Sequence, residues 1–83
     1  MNDIQKTTKV LQDLGCTLLD LEDLGAFGGI ATFEIDGQQF SITEDRGYWS
    51  LGGETEELQN MPSRKSRSQA TRDAISWIET LKA

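Results

Sequence analysis

Three tandem carboxylate pairs, Glu22-Asp23, Glu44-Asp45 and Glu56-Glu57, are the groups in this sequence whose types suit general acid–base chemistry. That chemistry needs two carboxylates converging on one point. Adjacent residues on a strand point to opposite faces, and the other pairs fall where turns or loops are expected. No pair is therefore expected to be catalytic. Histidine, the commonest general base and metal ligand, is absent from the chain. Cys16 is the only cysteine, so it can form neither an internal disulfide nor a zinc site. It follows an expected helix end, the wrong pole for lowering a thiol pKa, and reads as a small buried hydrophobe. No D-x-[DN]-x-[DN]-G calcium loop occurs. The run "GAFGG" lacks both the GK[ST] ending of a P-loop and the G-x-G-x-x-G spacing of a dinucleotide turn. These residues give no reason to expect an enzyme, a bound metal or a cofactor.

What remains is charge. The net charge is −6. Residues 1–62 carry twelve acids and three bases, whereas residues 63–83 carry five bases and two acids. An acidic body attracts basic surfaces and repels nucleic acid at long range. Against that background "MPSRKSRSQA" places Arg64, Lys65 and Arg67 within four positions. Ser66 and Gln69 match the S-x-x-Q capping box, which sets the three bases just before or within the first turn of a helix. A helix N-terminus carries partial positive charge and prefers acids. Bases there await an anion. It is either the upstream Glu54, Glu56 and Glu57 or an external phosphate, and the residues leave both open.

The elements that must position these groups are legible in outline. Eighty-three residues make one small domain, expected over 1–83. Ile4, Leu11 and Leu14, with Val10 beside them, predict a helix over residues 3–14, capped by Asn2 or Asp3 with Gln5 in capping-box spacing. Gly15 marks its end. "TLLDLED" alternates, which argues a strand with Leu19 and Leu21 on its buried face and Asp20 and Glu22 on the other, and the glycines of "GAFGG" suit a loop between strands. Asp36-Gly37 is the strongest short hairpin dipeptide. It sets Ile35 opposite Gln38, Phe33 opposite Phe40 and Ala31 opposite Ile42. If Glu44 to Gly47 form the next loop, Thr43 pairs with Tyr48, Ile42 with Trp49 and Phe40 with Leu51. Trp49 and Leu51 then join the apolar face, and Tyr48 and Ser50 the polar one. "GGETEELQNMP" reads as a polar connection. Ala70, Ala74, Trp77, Ile78 and Leu81 then follow the spacing of an amphipathic helix. The expected fold is α+β: a three-stranded antiparallel meander with N- and C-terminal helices on one face, in the order α-β-β-β-α. No run approaches the roughly 18 apolar residues of a membrane span. The N-terminus has no apolar signal region, so a reducing, cytoplasmic setting is expected.

That element order, with "SRKSRSQATRDAISWIETL" forming the last helix, resembles the double-stranded-RNA-binding domain. The resemblance implies phosphate contacts by Arg64, Lys65 and Arg67. The chain's "GAFGG" stands where that family carries a Gly-Pro-x-His type motif, and net acidity opposes the counterion release on which phosphate binding relies. In size, acidity and lack of catalytic residues the chain is also similar to small phage-encoded inhibitors such as anti-CRISPR proteins. The leading expectation is a protein-binding module. It would occupy a partner's basic surface through the polar sheet face and acidic loop, with Glu34, Tyr48, Glu54, Glu56 and Glu57 as contacts. Nucleic-acid binding through the basic tract is the alternative.

Overall fold

A computed structural model of the protein describes residues 3–82. Asn2, one of the two expected caps of the first helix, lies outside the described residues. The elements run α1 (Asp3–Asp13), β1 (Thr17–Asp23), a 3-10 turn (Gly25–Phe27), β2 (Gly28–Ile35), β3 (Gln38–Asp45), β4 (Tyr48–Gly53), α2 (Glu56–Gln59) and α3 (Arg67–Lys82). The strands form a single antiparallel sheet in the order β1-β2-β3-β4. The fold is α+β with terminal helices on one face, but the sheet has four strands rather than three.

β1, the strand expected from "TLLDLED", joins the meander as its fourth strand. It pairs with β2 from Thr17 opposite Glu34 to Asp23 opposite Gly29, with its register interrupted between Leu18 and Asp20. The interruption is a bulge at Leu19. One extra residue moves the preceding side chains to the opposite face. Leu18, not Leu19, therefore joins Leu21 against the core, and Leu19 is left 46% exposed. The expectation that Leu19 and Leu21 share a buried face fails for that reason.

The Asp36-Gly37 turn has φ of 51° and 77°, and the β2–β3 register is the one its dipeptide fixes: Ile35 opposite Gln38, Phe33 opposite Phe40, Ala31 opposite Ile42. The next turn is tighter than expected. Asp45 pairs with Tyr48, so Arg46 and Gly47 alone make the turn, with φ of 54° and 90°. Glu44 Oε2 accepts the Gly47 N–H at 3.2 Å, which helps hold it. Thr43 consequently faces Ser50, Ile42 faces Leu51 and Phe40 faces Gly53. The slip from the expected register is two residues, so every side chain keeps its face.

One apolar cluster joins the layers. Ile4 and Leu11 of α1, Ala70, Ala74, Trp77 and Ile78 of α3, and Phe33, Phe40, Ile42 and Trp49 of the sheet are all buried in it. Phe40 stacks on Phe33 at 5.4 Å between ring centroids and meets Trp77 at 5.1 Å. Leu14, expected on the buried stripe of α1, is exposed beyond the helix end. The stretch "GGETEELQNMP" is not a plain polar connection. Gly52 and Gly53 complete β4, Thr55 caps α2 by accepting the Leu58 N–H, and Leu58 is fully buried.

Thr7 on α1 is fully buried, and among the described residues its Oγ1 has no hydrogen-bond partner. Thr8 beside it donates to the Ile4 carbonyl at 2.8 Å. A buried unpaired hydroxyl costs about 1–3 kcal/mol. Thr7→Val keeps the branched shape and removes that cost. It should raise the unfolding free energy by about 1 kcal/mol, read as a higher urea midpoint at unchanged slope. A lower midpoint would show that the hydroxyl is bonded.

Candidate interaction surface

The helices cover one face of the sheet and leave the other open. Alternation along each strand places Asp20 and Glu22 of β1, Ile30, Thr32 and Glu34 of β2, Gln39, Ser41, Thr43 and Asp45 of β3, and Tyr48, Ser50 and Gly52 of β4 on that open face. No lysine or arginine occurs in any of the four strands, which together hold six acids. Two of the six have local duties. Asp23 accepts from the Gly25 N–H and from Gln5 Nε2, both at 2.9 Å, and Glu44 holds the Arg46-Gly47 turn. The other four face solvent on the open side. Asp45 lies 3.9 Å from Arg46, a fully solvated pair of the kind that contributes about 0–1 kcal/mol. Among the described residues, Asp20, Glu22 and Glu34 have no ion-pair partner.

Two shallow hollows mark one end of this face. The first, about 210 Å³, lies over β2, β3 and β4 between Ile30, Thr32, Ser41, Gly52 and Glu54. It exists because the row Thr32–Ser41–Gly52 shrinks to hydrogen at β4. The second, about 190 Å³, is lined by Gly37, Gln38, Gln39 and Glu54. Gln39 and Glu54 border both hollows, and Glu34 sits opposite Gln39 in register. Glu34 and Glu54 thus belong to one end of the sheet. Tyr48 is exposed on the same face at the other end of β4, roughly 17 Å away for five strand residues. Glu56 and Glu57 occupy the first turn of α2, where carboxylates suit the helix dipole.

The basic tract divides. Arg64 serves the fold twice. Its backbone bridges the outer edge of β4, with N–H to carbonyl bonds of 2.7 Å to Trp49 in both directions. Its guanidinium holds Asp73 of α3 in a fork, Nε to Oδ2 at 2.8 Å and Nη2 to Oδ1 at 3.3 Å. This hydrogen bond and the carboxylate charge raise the Arg64 pKa further. The anion awaited by Arg64 is therefore Asp73, not Glu54, Glu56 or Glu57. Ser66 Oγ accepts the Gln69 N–H at 3.2 Å and caps α3. The reciprocal bond from the Gln69 side chain is not formed among the described residues. Lys65 and Arg67 flank that cap without an ion-pair partner among the described residues. Asp73 escaped sequence reading because nothing local ties a loop arginine to an acid two turns into a helix.

Cys16 is buried, and burial pushes its thiol pKa up, against a smaller opposing effect of Lys82. Among the described residues, no group of three Cys, Asp or Glu side chains is arranged to hold a metal ion. No helix among them is long and apolar enough to cross a membrane. No protein-family model, curated protein or solved structure matches the chain.

Proposed function

We propose that the protein is a non-enzymatic binding module of inhibitor type. It lays the open face of its sheet on a basic surface of a nucleic-acid-handling protein or complex, in the manner of small phage-encoded inhibitors such as anti-CRISPR proteins. The observation that carries this reading is the six acids and absent bases of the four strands. Carboxylates fixed on a sheet steer association with a basic partner and exclude partners of like charge. The contacts are Glu34, Glu54 and Tyr48, with Asp20 and Glu22 extending the face and Glu56 and Glu57 adding to its field. The setting is reducing and cytoplasmic, where a lone thiol such as Cys16 stays reduced.

The test is capture of partners from lysate with and without nuclease, followed by charge reversal. A basic protein should survive nuclease treatment. Asp20→Lys, Glu22→Lys and Glu34→Lys together should weaken its binding by at least about 100-fold, since like-charge juxtaposition costs several kcal/mol. Unchanged binding by that variant would refute the reading. The alternative, a nucleic-acid surface at the start of α3, draws support from Lys65 and Arg67, which have no ion-pair partner among the described residues, and loses Arg64 to Asp73. It requires salt-sensitive duplex binding abolished by Lys65→Glu and Arg67→Glu.

A further inference from the structure

Among the described residues, five large apolar side chains stand in solvent, and three of them gather at one end of the sheet. Leu24 and Phe27, 56% and 67% exposed, lie in the β1–β2 loop, and Tyr48, 56% exposed, follows the β3–β4 turn. Gly28 is opposite Asp45, and Asp45 opposite Tyr48. The three side chains therefore start from strand ends on one side of the sheet, with Phe27 beside β2 about 10 Å and Leu24 beside β1 about 14 Å across from Tyr48 on β4. The loop that carries two of them is tightly built. Leu24 N–H donates to the Gly28 carbonyl at 2.9 Å, Phe27 N–H to the Leu24 carbonyl at 3.2 Å, and Gly25 N–H to Asp23 Oδ1 at 2.9 Å. Side chains held outward on a fixed backbone lose little entropy when they dock, and clustered exposed apolar groups mark interaction sites.

The charge at this end selects the occupant. Glu22, Asp23, Glu44 and Asp45 surround the apolar residues, against Arg46 in the turn and Lys65, which the antiparallel Trp49–Arg64 bridge sets beside Tyr48, while Arg64 is held by Asp73. The balance stays acidic, so a second copy meeting this patch with the same end would bring like charges together. A protein whose apolar cleft is rimmed by lysine or arginine meets both the apolar and the acidic groups. We propose that this end of the sheet is the apolar anchor of the binding face, with Leu24, Phe27 and Tyr48 entering such a cleft. The inference rests on the acidic-face reading and adds to it the residues that set the dissociation rate.

Three peptides serve as probes: alternating leucine and lysine, oligolysine of equal charge, and alternating leucine and glutamate. Binding is read by titration and by backbone amide shifts. The leucine–lysine peptide should bind about tenfold tighter than oligolysine and shift the amides of residues 24–27 and Tyr48. Leu24→Ser with Phe27→Ser should erase that tenfold advantage while leaving oligolysine binding and the melting temperature unchanged. Equal binding of both cationic peptides overturns the anchor and leaves the acidic face standing. Equal binding of the leucine–glutamate peptide also overturns it, by showing an indiscriminate apolar patch. Binding of neither cationic peptide overturns the anchor and the acidic face together.

Discussion

Gly28→Ala is expected to lower the unfolding free energy by about 3–5 kcal/mol, combining left-handed backbone strain with overpacking. Gly28 has φ of 106°, a conformation costly for any residue with a Cβ. A Cβ there would also fall on the backbone carbonyl of Glu44 across the β2–β3 ladder. Backbone in a paired strand cannot swing aside as a side chain can. Gly25→Ala is the control. Gly25 also has positive φ, 64°, but a Cβ there meets nothing within 4 Å. It should cost only the conformational strain, about 1–2 kcal/mol. Urea midpoints of the two variants decide the matter. Equal losses would mean that strain alone, without the close approach to Glu44, sets the cost. The effect reaches function, because Gly28 closes the loop that presents Leu24 and Phe27.

The same loop shows why β1 was harder to read than the rest of the sheet. "GAFGG" announces positive φ, and Gly25 and Gly28 both use it. It does not announce a hairpin, because the connection is longer than two residues and carries no Asn-Gly or Asp-Gly. Gly29 is needed for a different reason. Its missing Cβ would sit 2.6 Å from the Glu22 carbonyl of the neighbouring strand and 3.3 Å from Ile4 of α1, a close approach that no local pattern reports. The Leu19 bulge then breaks the alternation that would have revealed which leucines face inward. By contrast, Asp36-Gly37 specified type and register together, since both central residues need φ > 0 and two-residue loops admit one pairing. Arg46-Gly47 makes the same kind of turn with arginine in the left-handed position, where asparagine or aspartate is usual. That substitution explains the misplaced register, and the period of two explains why no side chain changed face.

The site was legible in its chemistry and less so in its grouping. Missing histidine and a single cysteine constrain catalysis by type, whatever the fold. Tyr48 on the open face followed from alternation alone. The separation of Tyr48 from Glu34 and Glu54 needed the strand order, which brings the β2–β3 turn and the end of β4 together and sends the β3–β4 turn to the opposite end. Arg64 illustrates the limit most clearly. Three bases in four positions look like one handle, yet Trp49 and Asp73, distant in sequence, remove one of them. Proximity in space decided its role, and proximity in sequence suggested another.

Trp77→Ala should cost about 3–5 kcal/mol, the usual range for deleting a buried large aromatic. Trp77 is 2% exposed and packs on Phe40, which in turn stacks on Phe33. It therefore couples α3 to the two central strands. An 83-residue chain at about 0.05–0.15 kcal/mol per residue has only about 4–12 kcal/mol in total. The variant should be marginal at 37 °C, and Trp77→Phe, which keeps a ring against Phe40, should lose less. Trp49 of β4 is also buried, so fluorescence of the alanine variant reports on the sheet side of the core and shows whether the sheet survives. The two faces of that sheet do different work, and this makes the experiment informative about function. The strands present Asp20, Glu22 and Glu34 on the face away from Trp77. At a temperature where both proteins are folded, partner binding should match wild type within about twofold, as expected for independent sites. A large loss of affinity in the folded variant would place the binding surface on the helical side and refute the open-face assignment.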